Sequence, residues 1–191
     1  MTTSDPPDPQ RPVPQAQVLH VVLPAGLPPG SYSLRMVEAL RSAGQGMTVH
    51  ALPGPHPQVD PSAILAADVA LSRLPDGAPV LIDGSALANL AATLPTDDRR
   101  LRFTALVDRL HWTDDGLSPE EATARRHLEQ GALALMRRVV VPDAAVAAAV
   151  AELGIPPDRV TRAEAREEEV PALLTQLPGF AAGAVPREGG A

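Results

Sequence analysis

The chain has 191 residues, 45% of them hydrophobic and 20% charged, a globular mixture long enough for one domain with a substantial core. Its formal charge of −7 argues against nucleic acid, which needs a clustered basic surface, and aromatics at 2% supply no stacking platform for single strands. It has no cysteine, and every lysine-or-arginine position is arginine, which excludes disulfides, thiolate metal sites, cysteine nucleophiles, Schiff-base chemistry and a P-loop lysine.

Residues 1–17 are polar and proline-rich and are expected to form a disordered lead-in without an apolar signal segment. Val18 to Leu23 (VLHVVL) is a short β-branched run that suits a strand buried on both faces, as in a parallel sheet. Pro24 to Gly30 follows as a loop. Ser31 stands at the N-cap of a helix over Tyr32 to Ala43, with Arg41 at its rim and Gly44 closing it. Met47 to Leu52 is a second strand and Pro53 to Pro57 a turn-rich loop; Pro61 then opens a helix reaching Leu74. Pro75, Asp76 and Gly77 make a turn before a third strand, Pro79 to Ile82, which ends at Asp83-Gly84. Ala86 to Leu94 reads as a short helix and Arg102 to Val107 as a fourth strand.

After a loop, Ser118 caps a long helix from Pro119 to Met136, with Glu121 at the capping-box position. Arg138 to Val141 is a fifth strand. Asp143 caps a helix to Leu153, which Gly154 ends, and Val160 begins a sixth strand. Residues 179–191, rich in Gly and Ala, are expected to be a loose tail. No stretch approaches the ~20 apolar residues of a membrane span, so the expectation is a cytoplasmic protein without a transmembrane segment. Strands alternating with helices imply an α/β domain over residues 18–178. It would be a Rossmann-like three-layer sandwich with a mainly parallel sheet and right-handed crossovers.

In such sheets ligands bind outside the carboxyl ends of the strands. The loops in question are Pro24 to Ser31, Pro53 to Gln58, Asp83 to Ser85 and Asp108 to Gly116. Gly26 and Gly30 permit close backbone approach, and the helix after Ser31 offers free amides to a phosphate. There is no G-x-G-x-x-G, and Pro28 and Pro29 remove two donors, so an ordinary strand-to-helix turn is the alternative. Asp83 either binds a sugar hydroxyl, or acts as a base, or caps the next helix; Ser85 has no G-x-S-x-G around it. The fourth loop holds Asp108, Arg109, His111, Trp112, Asp114 and Asp115. It can stack a sugar ring on Trp112 and hydrogen-bond its hydroxyls; the alternative is a solvated acidic loop with Trp112 as a lid. His111 and its neighbouring carboxylates lack diagnostic metal spacing, and no metal or cofactor is expected. His50 and His56 read as strand-edge and loop residues. Arg125, Arg126, Glu129, Arg137 and Arg138 read as the wet face of the long helix and its exit. Glu164 to Glu169 reads as a solvated helix start or linker. A flavodoxin-like receiver with Asp83 as phosphoacceptor would need a lysine and an acidic pair after the first strand, and neither is present.

In order, these segments resemble the N-terminal domain of the retaining family 4 glycosyltransferases with the GT-B fold. The strand VLHVVLP leads into Tyr32-Ser33-Leu34-Arg35-Met36-Val37-Glu38-Ala39-Leu40, similar to the family's Tyr-x-x-Arg-x-x-x-x-Leu. VLIDG at Val80 to Gly84 follows. LVDRLHWTDDGL at Leu106 to Leu117 is similar to Leu-Val-His-x-Pro-Leu-x-x-Glu-Thr-Gly-Leu. RRVVVPDAAVAAAVAELGIPPDRV closes the match, which spans Val18 to Val160. The resemblance implies a single GT-B-type half that binds the sugar acceptor. A donor-binding domain, separately encoded, would hold the nucleotide sugar, and a homodimer is the other partner expected. The chain alone would be inactive as a hexosyltransferase. The resemblance further implies catalytic roles for Asp108 and His111, and substrate contacts from Gly26, Gly30, Tyr32, Arg35, Asp83, Trp112 and Asp114. Asp108 stands where the family has a functional His, and a carboxylate cannot donate as imidazole does; His111 is the substitute. Asp114 stands on the family's Glu. Glu121 and Glu129 match the spacing of the donor-domain Glu-x7-Glu only by coincidence. The alternative is a non-catalytic ligand-binding or protein-interaction domain derived from that fold.

Overall fold

A computed structural model describes residues 18–178, so the expected lead-in and tail lie outside the described residues. Six strands form one sheet in which every pairing is parallel: β1 (Leu19–Pro24), β2 (Met47–Leu52), β3 (Pro79–Asp83), β4 (Arg102–Leu106), β5 (Arg138–Val141) and β6 (Val160–Arg162). Their order is β2-β1-β3-β4-β5-β6. The helices between and after them are α1 (Tyr32–Ser42), α2 (Pro61–Ser72), α3 (Leu87–Leu90), α4 (Leu94–Asp97), α5 (Pro119–Ala134), α6 (Ala144–Glu152) and α7 (Val170–Gln176). The expected α/β sandwich with a parallel sheet is what the chain forms.

The order explains the layers. From β1 the chain steps outward to β2, then returns past β1 to β3 and continues in that direction. Right-handed crossovers send opposite steps to opposite faces. Accordingly α1 covers one face, where Met36 and Leu40 meet Leu19, Val21 and Leu81. The other face carries α2, α3, α5 and α6, where Leu71, Leu90, Leu133 and Val150 meet Ile82, Phe103 and Val139. Central strands β3 and β4 are buried almost throughout, because each is flanked by strands and covered by helices on both faces. Edge strand β2 is half exposed; there His50 Nε2 lies 3.0 Å from His20 Nδ1, and burial lowers the pKa of both rings.

Helix starts follow their capping residues. Asp60 accepts from the amides of Ser62 and Ala63, and Asp143 from those of Ala145 and Val146. Ser118 and Glu121 close the expected capping box. Ser31 departs from expectation: it holds the N-cap position of α1, but its side chain makes no capping bond and its Oγ is buried without a partner. The expected helix over Ala86 to Leu94 is also corrected. A 3-10 turn at Gly84–Ala86 runs into the short α3, and a separate α4 begins at Leu94. Pro95 has no amide to bond back to residue 91, so the helix restarts with Pro95 in its first turn.

Helix α7 had no strong sequence signal. It closes the α1 face, with Val170, Leu173 and Leu177 packed in the cluster that includes Leu106 and Val140. A hydrogen bond ties this closure to α1: the buried Tyr32 hydroxyl donates to the Ala163 carbonyl at 2.7 Å. Burial, with Glu169 and Asp108 adding repulsion, pushes the Tyr32 phenol far above its usual range. Tyr32→Phe is expected to cost about 1 kcal/mol, because the ring still packs but the buried carbonyl loses its donor. Urea unfolding of the variant measures this; an unchanged midpoint means the carbonyl finds another donor. Among the described residues no helix is long and apolar enough to cross a membrane.

Candidate functional site

The carboxyl ends of β1 and β3 lie side by side at the point where the strand order reverses. This is where open α/β sheets bind ligands. A cleft of about 600 Å³ occupies it, walled by the loops that follow β1, β2, β3 and β4. Leu27 to Ser31 form one wall; His56 and Pro57, Asp83 and Ser85, and Asp108, Arg109 and His111 form the others. A smaller hollow of about 280 Å³ lies beside it and contains Gly26, Gly54 and His56.

Gly26 and Gly30 adopt φ of +85° and +77°, which L side chains rarely tolerate. No atom lies within 4 Å of where a Cβ would stand on either. Their role is therefore to turn the loop, and the close approach anticipated at these positions is not what requires glycine. Arg35, one turn into α1, donates to the Gly30 carbonyl at 2.5 Å and lies 6.0 Å from the Tyr32 ring centre. It braces the loop from outside. Neither Arg35 nor Tyr32 lines the cleft.

Asp83, at the end of β3, does line the cleft and also acts as a cap. Its Oδ1 accepts from the Ser85 amide at 2.9 Å and from the Ser85 hydroxyl. The next residue, Gly84, permits this strand end to sit close to its neighbour: a Cβ there would stand 3.0 Å from the Leu106 carbonyl oxygen of β4.

The loop after β4 splits into two halves. Asp108 and Arg109 are exposed at the rim of the cleft. His111 is 4% exposed and begins a 3-10 turn over His111–Thr113. The turn is held by Glu129 of α5, whose two carboxylate oxygens accept the amides of His111 at 2.8 Å and Trp112 at 3.1 Å. Glu129 is thus corrected from the wet face of α5 to its buried face, at 2% exposure. Burial raises its pKa, and the two amide bonds, His111 and Arg125 oppose that rise. Asp114 completes the network, 3.1 Å from His111 Nδ1, 3.5 Å from the Arg109 guanidinium and 3.7 Å from that of Arg125.

The same turn carries Trp112 away from the cleft. Its side chain packs on the core cluster of α5 and β4, with the Arg126 guanidinium 5.1 Å from its ring centre. The structure brings Gly30, Asp83, Asp108 and His111 together, with Asp114 behind His111; it leaves Tyr32, Arg35 and Trp112 outside.

On the opposite wall His56 is held by Asn89 of α3, a residue with no exposed surface. Asn89 accepts the Asp60 amide at 2.9 Å, donates to the Gln58 carbonyl at 2.8 Å and lies 3.1 Å from His56 Nδ1. Sequence alone puts Glu129 on the wet face of the long helix and gives Asn89 no role. A signal for Glu129 was present, since it shares the 129, 132, 133, 136 stripe with Ala132, Leu133 and Met136, all buried. Asn89 similarly interrupts the apolar run ALANL.

Three polar atoms of cleft residues are buried without a partner: Ser31 Oγ, His56 Nε2 and His111 Nε2. Such groups are rare in folded proteins, and a fourth among the described residues, Trp112 Nε1, lies outside the cleft. Among the described residues no three histidine or acidic side chains gather as a metal site. The chain matches no family model and no curated protein.

Proposed function

We propose that the cleft is the acceptor site of a nucleotide-sugar-dependent sugar transferase, the chain supplying the acceptor-binding half. The observation that carries this reading is the convergence at one cleft of the three segments that resemble the family 4 glycosyltransferases. These are the loop at Gly30, the strand end at Asp83 and the loop from Asp108 to His111. Carboxylates at Asp83 and Asp108 accept hydrogen bonds from sugar hydroxyls, and Arg109 donates one. His111, oriented by Asp114, faces the reacting hydroxyl. Holding an acceptor against a donor bound elsewhere makes the encounter effectively intramolecular, which is the main source of rate in such transfers.

A second reading is a ligand-binding module without catalysis. It is favoured by Asp108, an exposed carboxylate that cannot donate where the family has imidazole. One experiment separates them. Transfer from a panel of nucleotide sugars is measured with the chain alone and with a family 4 donor domain added as a second chain. Transfer only in the mixture, lost in His111→Ala, supports the transferase reading. Sugar binding by saturation-transfer NMR without transfer in any mixture leaves the binding module. Absence of both overturns the acceptor-site proposal.

A further inference from the structure

We infer that two copies of the chain associate about a two-fold axis, with β2 of one pairing antiparallel with β2 of the other, so that one sheet runs through both. The inference stands apart from the cleft and its ligand.

The backbone of β2 presents a bare edge. The Leu19 amide donates to the Gly46 carbonyl at 3.0 Å and the Ala25 amide to the Leu52 carbonyl at 2.7 Å. Backbone groups of successive strand residues point to opposite sides. The even-numbered residues of β2 therefore face β1, and the amides and carbonyls of Met47, Val49 and Ala51 face away from the sheet. β2 stands at the end of the strand order, and among the described residues nothing bonds those outward groups. Such an edge is a template for another strand unless the chain blunts it. The opposite edge, β6, is blunted: it has three residues and ends on the exposed Arg162. Met47–Leu52 has six residues, an unbroken register with β1, no charge and no proline.

A second copy fits because the strand is its own complement. About an axis at Val49, antiparallel pairing sets Val49 against the partner's Val49 and Met47 against the partner's Ala51. Every outward amide and carbonyl then gains a partner. Val49 pairs in register with Val21, which packs on α1, so Met47, Val49 and Ala51 share that face. All three are apolar, and no like charges meet across the axis. Apolar surface also gathers on this side of the molecule. The large hydrophobics exposed among the described residues are Val18, Val49, Val59, Leu65 and Val69. They lie at the start of β1, on β2, or in the loop and helix that follow it, and α2 carries a single charged residue, Asp68.

The test is sedimentation equilibrium of the full chain over a dilution series, with amide exchange at both ends of the series. A species of twice the chain mass is expected at high concentration. There the Met47, Val49 and Ala51 amides should be protected, and dilution should expose them. Thr48 and His50, bonded to β1, should stay protected throughout. Ala51→Pro removes an outward amide and spares every bond to β1; it is expected to weaken the dimer about thirtyfold, one hydrogen bond being lost per copy. Val49→Lys sets two ammonium groups opposite each other and is expected to leave only monomer. Protection at Thr48 and His50 shows that either variant is folded, and the dilution series of the parent chain decides the matter without them. A chain that stays monomeric at every concentration overturns the inference. So does a dimer with unprotected Val49 and Ala51 amides, which places the interface elsewhere. Protection of those amides in a monomer also overturns it, because another segment of the same chain then covers the edge.

Discussion

Glu129→Ala is expected to lower the unfolding free energy by about 3 kcal/mol and to disorder the turn that presents His111. The carboxylate is buried and accepts two backbone amides, those of His111 and Trp112. Truncation strands both donors in the interior, at about 1–3 kcal/mol each, and leaves a small cavity in the α5 packing. Removing a carboxylate that was itself costly to bury offsets part of this. Urea unfolding gives the stability change, and the His111 ring signals report the turn. A loss below about 1 kcal/mol would mean the amides have found new acceptors.

The pH dependence has a defined sign. Burial raises the folded-state pKa of Glu129 above its ordinary value of 4.5. Its contribution is then fully present below the unfolded carboxyl's pKa and is lost as pH rises through the folded one. Glu129→Gln keeps an acceptor but cannot ionise, so stability measured from pH 4 upward should lose that slope. An unchanged slope would assign the titration to another group.

Asn89→Ala is expected to cost about 2 kcal/mol and to free the loop between β2 and α2. One side chain there serves the Asp60 amide, the Gln58 carbonyl and the His56 ring. Asp60 in turn caps α2, so the damage should reach the start of that helix. Amide exchange over residues 55–63 measures this; protection equal to the parent protein would show that packing alone holds the loop. Asn89→Asp is the finer probe. It keeps the acceptor for Asp60 but turns a second acceptor toward His56 Nδ1. That oxygen also meets the Pro55 and Gln58 carbonyls, so exchange protection over residues 55–63 is expected to fall as it does in Asn89→Ala.

Much of this architecture was readable along the chain. The bounds of β2 and β5 agree with expectation because each is a short apolar or β-branched run bracketed by glycine, proline or arginine. Asp143 and the Ser118–Glu121 pair announced helix starts by the same local chemistry they perform in the fold. Alternation of strand and helix implied parallel pairing, and the strand-end rule pointed to the four loops that wall the cleft. All of these depend on residues within a few positions of one another.

The supports of the site depend on distant partners. Glu129 reaches residues 17 and 18 positions earlier, and Asn89 spans 29 to 34. Neither pairing has a periodicity, and a charged residue in a helix reads as solvated until its neighbours are placed. Trp112 and His111 are adjacent in sequence yet face the core and the cleft, because Glu129 clamps both of their amides and sets the turn between them. Ser31 has the right residue type for a cap but not the bond, since its hydroxyl is buried at the cleft wall. Spacing along the chain governs which segments become strands and helices. Which polar atoms are satisfied, and which are left without a protein partner, follows from burial and long-range hydrogen bonding once those segments pack.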